Sequence, residues 1–241
     1  MNELQISLRR SPRMLLERDG HPGPGPGRLA LVMARAGVGK TAFLVGIGVD
    51  ALLAHQRVLH VSLDRSVDRI RDWYDDLLLE MLRREDKVEQ RAAVQLEMER
   101  RRHIHTYVDR AFSVERLRSG IELLRDVMQF SPEVIIIDRA RLDDVEEATI
   151  AELRRLAEDV GAELWMACRT HRDGPQGEPG RLPPPADRFD HLVDLAFRLD
   201  PHDSKIRLHV VKSREGMVDQ DLNVVLDPRT LLLTTGVGAR R

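Results

Sequence analysis

Short apolar runs alternate with helical stripes along most of the chain. Arg28–Ala34 is an apolar run of strand length, and Phe43, Leu44, Ile47, Ala51 and Leu52 mark one side of a helix predicted from Lys40 to about Ala54. Val58–Leu63 reads as a second strand. Residues 66–102 read as helical, with a stripe of Ile70, Trp73, Leu77, Leu78, Met81 and Leu82. Beyond it, in Arg83–Arg102, acids and bases alternate as on a solvated face. A third strand is predicted at His105–Val108, a helix around Val114–Met128, and a β-branched strand at Val134–Ile137. A helix near 145–160, a strand at Glu163–Cys168 and a Gly/Pro-rich loop at Asp173–Pro185 follow. Strands at Leu192–Leu199, Ile206–Lys212, Leu222–Leu226 and near Thr230–Thr234 end the series. The order predicts an α/β fold: a mostly parallel sheet flanked by helices and closed by antiparallel C-terminal strands.

Composition narrows this picture. With 241 residues the chain can bury one α/β core. Hydrophobic residues are 42% and charged residues 32%, which excludes wholesale disorder, while only 4% are aromatic, so Leu, Val, Ile and Ala must fill the interior. Lys and Arg (38) nearly balance Asp and Glu (40), which argues against a generic polyanion binder. The single cysteine, Cys168, cannot form an internal disulfide, so a reducing cytoplasm is expected. No apolar run approaches the ~20 residues of a membrane span, and no membrane partner is expected. Residues 1–21 read as an arm, 22–235 as one domain and 236–241 as a tail, with a Pro/Gly hinge at His21–Gly27. The basic residues are nearly all arginine. Lysine occurs only at positions 40, 87, 205 and 212, which suggests that it is kept where a compact ammonium matters.

Two motifs carry chemistry. Ala34-Arg35-Ala36-Gly37-Val38-Gly39-Lys40-Thr41 lies between a predicted strand and a predicted helix, the context a phosphate-binding loop requires. Gly37 and Gly39 let backbone N–H groups of the stretch from Ala36 to Ala42 converge on phosphate oxygens, helped by the helix N-terminus. Lys40 is placed to reach the β/γ-phosphates of ATP, and the Thr41 hydroxyl to ligate Mg²⁺. In Val134-Ile135-Ile136-Ile137-Asp138 an apolar strand ends in a carboxylate, as a Walker B element needs to hold Mg²⁺.

Taken with the order of segments, these motifs resemble the RecA-like P-loop ATPase core of replicative hexameric (DnaB-like) DNA helicases and, more distantly, circadian-clock (KaiC-like) ATPases. The likeness spans about residues 22–234. Helicase loops of this kind commonly begin with Ala-Arg, as Ala34-Arg35 does. Val58–Asp64 resembles the family strand that ends in a water-polarising glutamate, and here that place holds Asp64, one methylene shorter. The family's phosphate-sensing glutamine falls on Arg169, or on His171 if the register slips. Val210–Gly216 resembles the segment whose basic pair, here Lys212 and Arg214, reaches a neighbouring subunit's nucleotide. The resemblance implies an ATPase acting as a homo-oligomer, up to a hexameric ring. Its rivals are a nucleotide-binding switch with little hydrolysis and a DNA-dependent motor or loader.

Further residues are weaker candidates. Cys168 reads as a buried structural thiol rather than a reactive one. His103 and His105 share a strand side without a metal-site partner nearby in sequence. Arg139, Arg141, Arg181 and Arg188 lie where the related helicases face DNA, but no aromatic accompanies them to stack a base, so solvated surface and nucleic-acid contact are both open.

Overall fold

The computed structural model describes residues 23–108, 111–170, 180–213, 216–227, 230 and 232–235. Among them, β1 (Leu29–Ala34), β2 (Val58–Ser62), β3 (Arg102–Thr106), β4 (Val134–Asp138), β5 (Glu163–Arg169) and β6 (Leu195–His202) run parallel. Then β7 (Lys205–Ser213), β8 (Gly216–Leu226) and β9 (Leu233–Thr235) continue antiparallel. All nine form one sheet in the order β3-β2-β4-β5-β1-β6-β7-β8-β9.

The central strands are apolar throughout because both faces of the sheet are covered. Ala30, Val32 and Ala34 of β1 turn to one side, where α1 (Lys40–Leu53), α2 (Val67–Arg84) and α3 (Arg91–Arg101) pack. Leu29, Leu31 and Met33 turn to the other, where α4 (Val114–Met128) and α5 (Glu147–Val160) lie with a short 3-10 helix, Ala186–Leu192. The architecture expected from the order of elements is therefore present. No helix among the described residues is long and apolar enough to cross a membrane.

Several boundaries differ from the sequence expectation. The helical stretch 66–102 is broken: α2 ends at Arg84, Asp86 takes a left-handed φ of 53°, and the Lys87 N–H closes back on the Leu82 carbonyl. A 3-10 turn, Val88–Gln90, restarts the chain into α3. The third strand is Arg102–Thr106 and not His105–Val108, because its register is fixed by β2, Val58 against Arg102 through Ser62 against Thr106. Its first residue looked like helical charge, but Arg102 is buried with its guanidinium over the Tyr74 ring, 4.7 Å from the centroid. Residues 186–192 turn as a 3-10 helix, so β6 starts at Leu195 and not Leu192, and it still runs parallel to β1. β8 begins at Gly216, six residues before the predicted Leu222, because backbone pairing with β7 carries the polar segment that precedes its apolar end. The last strand is Leu233–Thr235 against the expected Thr230–Thr234. The arm (1–21), the tail (236–241), Arg214 and His171 lie outside the described residues.

Candidate functional site

The C-terminal ends of β1, β2, β4 and β5 share one edge of the sheet, and the candidate residues of both motifs gather there. β1 leaves its last residue, Ala34, for an exposed stretch of Arg35, Ala36 and Gly37. Gly37 (φ 77°) and Gly39 (φ 103°) both lie in the left-handed region, which glycine adopts without penalty. A Cβ on Gly37 would point into open space, so the mouth of the loop is unobstructed there; one on Gly39 would press on Leu226 at 3.2 Å. Val38 and Ala42 are buried and pin the loop and the first turn to the core. Gly39 caps α1 without a side chain, and the first turn holds no acidic residue, so its N–H groups and positive dipole end face outward.

Lys40 folds over this loop. Its Nζ donates to the carbonyls of Ala34 (2.8 Å) and Arg35 (2.7 Å). Burial lowers its pKa to about 8, Asp138 opposes that fall, and the charges of Arg169 and Arg139 add to it. An exposed loop turned by two left-handed glycines, a helix N-terminus without a side-chain cap and the nearby cations Lys40, Arg139 and Arg169 are a setting for an anion with several oxygens.

Although β5 lies between β1 and β4, the loop that leaves β1 sets Thr41, in the first turn of α1, at the end of β4. The Thr41 hydroxyl donates to Asp138 Oδ2 at 2.7 Å. Asp138 is nearly fully buried, and burial raises its pKa; the Thr41 hydrogen bond, the Arg139 charge and backbone N–H, and the Lys40 charge pull it back.

Asp64 stands two residues beyond β2, beside β4, where Ser62 pairs with Asp138 and the Leu63 N–H donates to the Asp138 carbonyl. Its Oδ2 accepts a 2.6 Å hydrogen bond from Arg139 Nε. Arg139 itself has φ 66°, a left-handed conformation uncommon outside glycine. Asp64, Asp138, Lys40 and Thr41 thus share one sheet edge.

Lys212 is engaged elsewhere. Its Nζ donates to the Asp190 carbonyl (2.6 Å) and to Asp190 Oδ2 (3.1 Å), tying the end of β7 to the 3-10 helix. Among the weaker candidates, Cys168 is fully buried with its thiol pushed up to about 12, the structural reading. His103 packs edge-on against Phe130, and no group of three or more metal-ligating side chains occurs among the described residues. Arg181 donates to the Asp187 carbonyl, and Arg188 to the carbonyls of Leu142, Asp143 and Val145. Arg141 and Arg169 are exposed.

No protein-family model and no curated protein matches the chain. The site is therefore read from its own geometry. Sequence reasoning named Asp64 and Arg139 but missed their pairing, since they are 75 positions apart and follow strands whose adjacency only the sheet order reveals. Asp190 was missed as the partner of Lys212 because the 3-10 helix that carries it was not expected between the predicted loop and the predicted strand.

Proposed function

We propose that this chain is a RecA-like P-loop ATPase that binds Mg-ATP in the loop between β1 and α1. The observation that carries the proposal is the meeting of Thr41 and Asp138. These two motif residues are 97 positions apart, yet they are hydrogen bonded at 2.7 Å beside the folded Lys40 ammonium. A hydroxyl and a carboxylate are the oxygen donors that Mg²⁺ prefers, and an open, glycine-turned loop at a helix N-terminus leaves room for phosphates. The donor set fits the cofactor. Bound there, Mg²⁺ would neutralise charge on the β- and γ-phosphates.

The chain's own residues then have distinct roles. The N–H groups from Ala36 to Ala42 orient the phosphates, and Lys40 exchanges its two carbonyl partners for phosphate oxygens, a charge-assisted and stronger contact. Asp138 and Thr41 would hold the metal. Asp64 is the base that orients the attacking water, once its carboxylate is freed from Arg139. The expected homo-oligomer, with Lys212 and Arg214 acting across an interface, belongs to this reading. It requires Lys212 to leave Asp190, a partner with which it is mostly buried.

One observation favours a second reading. The Asp64–Arg139 pair withholds the candidate base, as a nucleotide-binding switch with little hydrolysis would. Turnover of Mg-ATP by the wild type and by Asp64→Asn, each with and without single-stranded DNA, separates the readings. The ATPase reading expects turnover without DNA and a loss of about 10²-fold or more in Asp64→Asn. Binding without turnover supports the switch, and turnover only with DNA supports a motor. Undiminished turnover in Asp64→Asn makes this carboxylate structural.

A further inference from the structure

The charge of Arg139 acts on both Lys40 and Asp138. It follows the buried carboxylate directly, and its left-handed backbone sends its guanidinium to Asp64 at 2.6 Å while its own N–H faces Asp138. The pair is open to solvent, with the Arg139 side chain 39% and the Asp64 side chain 55% exposed. Exposed ion pairs contribute little, so a multiply charged anion can displace one partner at small cost. The Lys212–Asp190 pair contrasts with it, at 14% and 18% exposed, and is reinforced by a carbonyl. The cation best placed for exchange at this site thus comes from the chain itself.

Resting on the nucleotide-binding reading above, we infer that Arg139 is a γ-phosphate sensor supplied in cis. In the free protein its guanidinium holds Asp64, and a terminal phosphate draws it away, releasing the Asp64 carboxylate to meet water. A nucleoside diphosphate lacks the group that competes for Arg139, so Asp64 stays paired after hydrolysis. Triphosphate and diphosphate states would then differ at Asp64 without any contribution from a second subunit.

The test compares the affinities of a non-hydrolysable ATP analogue and of ADP, both with Mg²⁺, by titration calorimetry. The variants are Arg139→Asn, which removes the charge yet tolerates the left-handed backbone, and Arg139→Lys, which keeps the charge. Arg139→Asn should weaken analogue binding about tenfold and leave ADP binding within about twofold, while Arg139→Lys recovers part of the difference. An analogue-to-ADP affinity ratio unchanged in Arg139→Asn would overturn the inference alone. Failure of the wild type to bind either nucleotide would overturn it together with the ATPase reading.

Discussion

At the scale of single residues, the chemistry of this protein follows from which polar groups are buried and what meets them. His60 on β2 is fully buried, with Nδ1 3.0 Å from the Tyr74 hydroxyl and no hydrogen-bond partner at Nε2. Burial, with the nearby Arg102 charge second, lowers its pKa from 6.5 to about 3. Between those values the unfolded chain binds a proton that the folded one refuses. His60 therefore adds a term to stability that is present above pH 6.5 and is lost as pH falls towards 3, by up to about 1.4 kcal/mol per pH unit. Asp138, whose pKa is raised, acts with the opposite sign, so the difference between two proteins is the clean readout. Urea unfolding across this range should give a shallower acid slope for His60→Asn than for the wild type; parallel slopes would mean that His60 is protonated in the fold. Nothing in the sequence set His60 apart, because a histidine in an apolar strand carries no sign of its partner. Lys40, Thr41 and Asp138 stood out as candidates, since each belongs to a local sequence motif.

At the scale of elements, helices announced themselves through their stripes and strands through unbroken apolar runs, but their ends did not. Ser66 and Ser113 cap α2 and α4 by accepting from the N–H three residues on, and both starts were legible within a residue. The break after Arg84 was not, because Glu85-Asp86-Lys87 continues the charge pattern of the helix and only the left-handed Asp86 interrupts it. β3 was displaced because a buried arginine opens it. A similar close fit governs α1, where Gly48 faces the Tyr74 ring and hydroxyl so tightly that a Cβ would collide with them. Alanine in mid-helix gains about 1 kcal/mol over glycine, whereas overpacking a filled core costs about 1–3 kcal/mol. The collision should prevail. Gly48→Ala is expected to lose about 1–2 kcal/mol in chemical denaturation, and a variant as stable as the wild type would show that α1 and α2 separate easily.

At the scale of the whole molecule, the sheet order does the assembling. β1 and β4 are not neighbours, and the loop leaving β1 bridges the intervening β5 to set Thr41 on Asp138. β2 beside β4 then delivers Asp64, and the residue after β4 delivers Arg139. The sequence could order these strands along the chain but not in space, which is why the motifs were readable and the Asp64–Arg139 ion pair was not. The same order keeps the antiparallel strands at the far side, where Ile206 and Leu226 brace Gly39 beneath the loop. Among these residues Lys40, the first of α1, lays its ammonium back over the loop onto the carbonyls of Ala34 and Arg35. The most direct measurement is Mg-ATP affinity in the wild type and in folded Lys40→Ala protein, by titration calorimetry. Loss of one charge-assisted contact, about 1.5–3 kcal/mol, should weaken binding by about one to two orders of magnitude. Equal affinity in the two proteins, or none in the wild type, would contradict a phosphate site in this loop.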